Sequence, residues 1–222
     1  MARILTETFE TYNLGDLDGQ GTWVTQYSEV AKTNPQYHVV DTPTLSGTKS
    51  VQLYDTGGAK SYSEITQPLL RAIQVGEIGF EVYVPTNAPV ANQIGLDFFS
   101  GPVNIVTYDT WSLGIVFSDS PSDPVIEMTL YDNLNPVGFP MNTQAPLDTK
   151  VAGRIVLHAD GTFGVVLGGY LVIDSRVPFT GNEAINRYGF SNAGAMPAVL
   201  VSFDNLTFAD NRSPLPTFFQ IP

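Results

Sequence analysis

Apolar and polar residues alternate with a period of two over much of this chain, in short runs rich in Val, Ile, Thr, Tyr and Phe. Gly, Pro, Asn and Asp bound these runs, so the pattern is that of β-strands and turns rather than helices. It predicts strands near residues 4–10, 37–42, 49–55, 61–67, 72–84, 92–99, 103–108, 111–118, 124–131, 151–159, 162–167, 170–176 and 198–208. The clearest run is Glu77-Ile78-Gly79-Phe80-Glu81-Val82-Tyr83-Val84-Pro85. Ile78, Phe80, Val82 and Val84 share one face there, while Glu77, Glu81 and Tyr83 share the other. Ala159-Asp160-Gly161-Thr162 predicts a tight hairpin, and Gly168-Gly169 a second reversal. The 16 prolines, spread over the connections, argue against long helices. At most one short helical turn has room, around Gly181–Arg187.

The two ends carry the architecture. Ile4–Glu10 reads as an opening strand and Ala198–Phe208 as a closing one, which predicts a single all-β sandwich of two antiparallel sheets over residues 1–210. Residues 211–222 form a Pro-rich apolar C-terminal arm. Pro214, Pro216 and Pro222 impose extended backbone there, and Leu215, Phe218, Phe219 and Ile221 need a surface to bury against. That surface is either the parent sandwich or a neighbouring subunit. A chain of 222 residues buries roughly 70–75 % of its unfolded surface, so it needs no covalent staples.

Composition narrows the function. The absence of cysteine excludes disulfides and thiolate metal sites. A net charge of −12, from 22 acidic and 10 basic residues, works against partners that need Lys/Arg patches. Neither nucleic acid nor membrane is therefore expected. No apolar stretch reaches the ~20 residues that span a bilayer, and the N-terminus lacks the apolar core of a signal peptide. Synthesis in the cytoplasm and assembly into a virion is one expectation from this, and an extracellular protein is the other.

Three segments carry a family resemblance. They are Glu7-Thr8-Phe9-Glu10-Thr11-Tyr12-Asn13-Leu14-Gly15-Asp16-Leu17-Asp18-Gly19-Gln20-Gly21-Thr22-Trp23, Leu45-Ser46-Gly47-Thr48-Lys49-Ser50-Val51-Gln52-Leu53 and Phe203-Asp204-Asn205-Leu206-Thr207-Phe208. Together they resemble laminin-G-like members of the concanavalin A-like lectin/glucanase superfamily. The resemblance implies a jelly-roll β-sandwich with one concave sheet, an architecture that hosts lectins, hydrolases, lyases and structural domains, including phage particle proteins.

Under that resemblance, Glu77-Ile78-Gly79-Phe80-Glu81 is compared with the Glu-x-Asp-x-Glu strand of family 16 glycoside hydrolases. Both Glu positions match, but Gly79 stands where the central Asp belongs. The two Glu lie about 13 Å apart along a strand, against carboxyl separations of about 5–9.5 Å for glycoside hydrolysis. Two solvated carboxylates are therefore expected, and no catalytic residue is assigned. His38 and His158 lie in alternating strands far apart in sequence and are read as packed or surface residues. The resemblance also implies a structural calcium where the first and last strands meet, held by Glu10, Asp16, Asp18 and Asp204 with carbonyls of the Gly15–Gly21 loop. An Asp-rich turn is the plainer reading of that loop. Trp23, Tyr83, Tyr108, Trp111 and Tyr131 are the aromatic candidates for stacking on sugar rings, with core packing as the alternative.

The combined expectation is a non-catalytic structural jelly roll. It would assemble as a homo-oligomer with other particle proteins on a virion, as a capsid decoration, fibre or tail component. A carbohydrate-binding module that recognises surface glycans is the alternative, and a polysaccharide-cleaving enzyme ranks third.

Overall fold

Every regular element among the described residues is a β-strand. The computed structural model describes residues 2–28, 37–56, 61–85, 93–99, 112–120, 123–132, 135–145, 148–168, 170–174, 184–194 and 197–211. In chain order the strands are β1 (Ala2–Glu7), β2 (Gly15–Asp16), β3 (Val24–Ser28), β4 (Tyr37–Val40), β5 (Ser50–Thr56), β6 (Ser61–Ile73), β7 (Gly76–Tyr83) and β8 (Gln93–Phe99). They continue as β9 (Ser112–Ser120), β10 (Asp123–Asp132), β11 (Asn135–Ala145), β12 (Lys150–Leu157), β13 (Phe163–Leu167), β14 (Tyr170–Asp174), β15 (Ile185–Gly194) and β16 (Pro197–Asp210).

These strands make two antiparallel sheets. A nine-stranded sheet runs β14-β13-β12-β7-β16-β5-β4-β2, with β1 also paired to β16. A seven-stranded sheet runs β11-β10-β9-β8-β15-β6-β3. The terminal strands meet as the sequence predicted: Ala2 lies opposite Asp210 and Glu7 opposite Leu206. The fold is thus an all-β, two-sheet jelly-roll sandwich. The arm residues Leu215, Phe218, Phe219 and Ile221 lie outside the described residues.

The inward faces follow from alternation. Ile78, Phe80, Val82 and Val84 are all buried, as their spacing required. The deepest contacts are aromatic and join β15 of one sheet to β16 of the other. Phe190 lies 5.2 Å from Phe203, and Tyr188 lies 4.6 Å from Phe208, between ring centroids. Trp23 stacks on Phe190 at 5.5 Å and 15° and meets the edge of Tyr188 at 5.4 Å and 78°.

A carboxylate sits among these rings. Glu7 is 8 % exposed and accepts from Phe9 N at 3.1 Å, Tyr12 Oη at 2.8 Å and Gln67 Nε2 at 3.0 Å. Gln67 Nε2 also donates to Tyr188 Oη, and Thr22 Oγ1 donates to Gln67 Oε1 at 2.9 Å. Burial, reinforced by Glu7, holds the Tyr12 and Tyr188 hydroxyls well above the ordinary phenol range. This network ties β1 of the nine-stranded sheet to β6 and β15 of the seven-stranded one, and meets the hydrogen-bonding needs of a buried charge.

Several sequence expectations need correction. The helical turn near 181–187 gives way to strand at Ile185–Arg187, the start of β15 in the middle of its sheet. The expected run 72–84 divides at Gln74-Val75, because β6 continues through Pro68 to Ile73. Strands β2, β3 and β11 had no counterpart in the pattern, and the expected strand 103–108 lies outside the described residues. The Asp160-Gly161 hairpin stands: Asp160 Oδ1 accepts from Thr162 N at 3.0 Å, and Gly161 has a φ of 82°.

Truncating Phe190 to Ala should cost about 3–5 kcal/mol in urea unfolding, since it opens a cavity where the sheets meet. Leu70→Ala, at a side chain that is 90 % exposed, should stay within about 0.5 kcal/mol of wild type. Equal effects of the two would contradict this core.

Candidate functional site

The acidic residues that the sequence brought forward lie on the outer face of the nine-stranded sheet. Because β7 turns Ile78, Phe80 and Val82 inward, Glu77, Gly79, Glu81 and Tyr83 emerge outward. Glu77 Oε2 lies 3.7 Å from Arg154 Nη1, and Glu81 Oε1 lies 3.3 Å from Lys150 Nζ. Each carboxylate therefore has its own cation on β12, which is the surface arrangement expected of a strand without the central Asp.

The loop from 41 to 49 folds over that face and occupies the candidate metal ligands. Asp204 Oδ2 accepts from Ser46 N at 2.7 Å, and its Oδ1 accepts from Asn205 N at 2.7 Å. Ser46 Oγ donates to Glu81 Oε2 at 2.6 Å, and Lys150 Nζ donates to Leu45 O at 2.9 Å. Glu10 accepts from Thr48 N at 2.7 Å, Thr48 Oγ1 at 2.5 Å and Lys49 N at 2.9 Å. The Thr48 hydroxyl and these backbone donors hold Glu10 below its ordinary carboxylate value. Burial pushes Asp204 up to about 6, against the donors at Ser46 and Asn205 and with help from Glu81 and Glu10.

Asp16 and Asp18 stand apart from this cluster. β2 carries Asp16 at the sheet edge, three strand steps from β16 or about 14 Å. Asp16 Oδ1 accepts from Asp18 N at 3.0 Å, and Asp18 Oδ1 from Thr25 N at 2.7 Å. The expected calcium set of Glu10, Asp16, Asp18 and Asp204 is thus corrected: the four do not converge, and N–H donors already meet their charge. Among the described residues no group of three or more His, Cys, Asp or Glu is placed to hold a metal ion.

The aromatic candidates among the described residues fall in three different places. Trp23 is 0 % exposed in the core and offers no ring face to a sugar, which corrects that expectation. Tyr83 is half-buried on the outer face of the nine-stranded sheet, and its hydroxyl donates to Asp148 Oδ1 at 3.3 Å. Tyr131 belongs to β10 of the seven-stranded sheet, where register sets it opposite Gly114 of β9, which is in turn opposite Asp97 of β8. Tyr108 and Trp111 lie outside the described residues.

The outer face of the seven-stranded sheet holds what the sequence reading missed. Leu96 and Phe98 of β8, Tyr188 and Phe190 of β15, and Ile65 and Gln67 of β6 point inward. The opposite face therefore carries Gly95, Asp97, Arg187, Gly189, Ser191, Glu64 and Thr66. Register sets Asp97, Gly189 and Thr66 in one row, and Gly95, Ser191 and Glu64 in the next. Asp97 and Thr66 stand about 10 Å apart at Cα across Gly189, and the Thr66 methyl lies over the glycine, 2.8 Å from where a Cβ would stand.

Outward faces of antiparallel sheets are ordinarily wet, yet Glu64 is 2 % and Thr66 0 % exposed here. Thr66 Oγ1 and Arg187 Nε are buried atoms without a hydrogen-bond partner. Burial pushes Asp97 up to about 7, opposed by the hydrogen bond from the Ser191 hydroxyl. A Cβ at Gly189 would lie 2.1 Å from the Ile65 carbonyl oxygen, so that position needs glycine, while one at Gly95 would lie 2.2 Å from Ser191 Oγ and displace that side chain. One signal was available in the sequence: Asp97 interrupts the otherwise apolar outward positions of Ile94-Gly95-Leu96-Asp97-Phe98-Phe99.

Comparison with known proteins places this geometry. No protein-family profile and no curated protein sequence matches the chain. Solved structures do. An alginate lyase determined with an alginate trisaccharide superposes with a TM-score of 0.63 at 10 % identity, covering 95 % of this chain and 99 % of its own. A non-specific endo-β-1,3(4)-glucanase of family GH16 gives 0.61 at 12 % identity, over 95 % and 91 %. Lectin II from Ulex europaeus gives 0.60 at 12 %, over 94 % and 99 %. The chain has the concanavalin A-like lectin/glucanase jelly-roll fold, and identities this low establish the fold alone.

The raised carboxyls set a pH dependence. Asp97 and Asp204 bind protons more tightly folded than unfolded, so their contribution is complete below the ordinary value of 3.8 and is lost as pH rises through about 7 and about 6. Asp97→Asn should remove a share of about 4 kcal/mol between pH 4 and pH 8. Urea unfolding at pH 4 and pH 8 checks this: a variant that keeps the wild-type difference contradicts it.

Proposed function

We propose that this chain binds a saccharide across the outer face of its seven-stranded sheet without cleaving it. The observation that carries this reading is Thr66. Its hydroxyl is fully buried on an outward sheet face and lacks a hydrogen-bond partner, opposite Gly189 in the strand register. A buried polar group left unmatched within the protein is matched economically by a ligand rich in hydroxyls. Asp97, Ser191 and Arg187 supply further acceptors and donors around the same glycines. The fold neighbours support this chemistry, since they include a lectin, a glucanase and a lyase solved with its trisaccharide.

Binding rather than turnover is favoured by burial. Glycoside hydrolysis asks for two carboxyls that both reach the scissile bond. Here Glu64 is 2 % exposed, and the Asp97 carboxyl accepts from the Ser191 hydroxyl. The virion role expected from composition and the chain ends finds no support in these neighbours, and saccharide binding replaces it as the main reading.

A glycan array followed by calorimetry on the best ligand tests the proposal. Thr66→Val keeps the side-chain shape and removes the hydroxyl. It should weaken binding about three- to tenfold, the worth of one neutral hydrogen bond. It should leave thermal stability equal or higher, because an unmatched buried hydroxyl is gone. Retained affinity in Thr66→Val, or release of reducing ends from the bound glycan, would each overturn part of the reading.

A further inference from the structure

We propose that Tyr131 of β10 is the stacking platform of the saccharide face, taking a pyranose ring over Gly114 while Asp97 accepts hydrogen bonds from that ring's hydroxyls. The inference rests on the saccharide reading above and extends its face from β6 and β15 across β9 to β10.

Register brings these residues together. Asp97 of β8 stands opposite Gly114 of β9, and Gly114 stands opposite Tyr131 of β10, with no register shift in either stretch. Residues directly opposed across antiparallel strands share a face of the sheet. The neighbouring row runs from Leu96 through Ile115 to Leu130, and Leu96 is fully buried in the core, so that row is the inward one. Tyr131 therefore belongs to the outward face of Asp97, two strand spacings or about 10 Å away at Cα. Gly114 stands between them and carries no side chain.

What already fills the face directs a ring to this side. The Thr66 methyl and the Ile65 carbonyl close the ground over Gly189, and Ser191 and Asp97 close it over Gly95. Glu64 and Thr66 of β6 are buried, whereas Ser191 and Arg187 of β15 and Asp97 of β8 are partly exposed. Access thus opens away from β6, toward Gly114 and Tyr131. A pyranose has a face of C–H bonds and a rim of hydroxyls, and the row offers a partner to each. Tyr131 supplies a large rigid apolar ring that loses little entropy on binding. Asp97 already accepts from the Ser191 hydroxyl and keeps acceptor capacity for a sugar hydroxyl. An aromatic ring beside a few placed polar groups is the common make-up of a small-molecule site.

The experiment titrates wild type, Tyr131→Ala, Tyr131→Leu and Tyr131→Phe over one array of pyranose oligosaccharides, mixed-linkage β-glucan and alginate fragments among them. On the oligosaccharides that wild type retains, Tyr131→Ala should weaken binding about tenfold. Tyr131→Leu keeps apolar bulk without the flat ring and should weaken it about threefold or more. Tyr131→Phe keeps the ring and should stay within about twofold of wild type. Urea unfolding of each variant separates lost binding from lost fold, and Tyr131→Leu carries the comparison where Tyr131→Ala does not fold. Wild-type affinity in the folded Ala or Leu variant, or a Phe variant as weak as either, would overturn the platform while leaving saccharide binding intact. An array on which wild type retains no oligosaccharide would overturn the saccharide reading and this inference with it.

Discussion

The contact between β15 and β16 is the constraint on which the molecule depends. β15 lies inside the seven-stranded sheet and β16 inside the nine-stranded one, and their aromatic side chains meet at 4.6 Å for Tyr188–Phe208 and 5.2 Å for Phe190–Phe203. Rings packed this closely fix the separation and register of both sheets. Alternation then transmits the choice outward. Once Tyr188 and Phe190 face inward, Arg187, Gly189 and Ser191 must face outward, beside Asp97 on one side and Thr66 on the other. Core and candidate site are two faces of one strand.

The two outer surfaces of the sandwich solve different problems. On the nine-stranded sheet, Glu10, Glu81 and Asp204 receive hydrogen bonds from the 41–49 loop or lie beside lysines, so the acids serve to hold a connection down. On the seven-stranded sheet, buried polar atoms at Thr66 and Arg187 stay unmatched. Acidic residues drew notice in the sequence because carboxylates are the commonest catalytic and metal-binding groups. Packing reverses that emphasis, since a carboxylate with all its donors in place is structural, whereas an unmatched buried hydroxyl is available to a ligand.

The interior network at Glu7 shows a similar reversal. In sequence Glu7 is an unremarked residue of an opening strand. In the folded chain it accepts from Phe9, Tyr12 and Gln67 and connects the sheets beside Trp23. Trp23, read from sequence as either platform or core, is settled as core by its stacking on Phe190 and Phe9.

What the sequence determined by itself is everything governed by nearest neighbours. Period-two alternation at Ile78–Val84 set which side chains enter the core, Asp160-Gly161 set a hairpin, and the apolar ends set the pairing of first and last strands. β15 escaped because Asn186, Gly189, Asn192 and Gly194 give it poor strand character, and it is held extended by partners on both sides. The same non-local cause hid the site. Asp97, Thr66, Arg187 and Ser191 come from three strands up to about 125 residues apart in the chain, and only strand register across the sheet brings them together. Local chemistry writes the strands, while the pairing that makes a site out of them exists only once both sheets have closed.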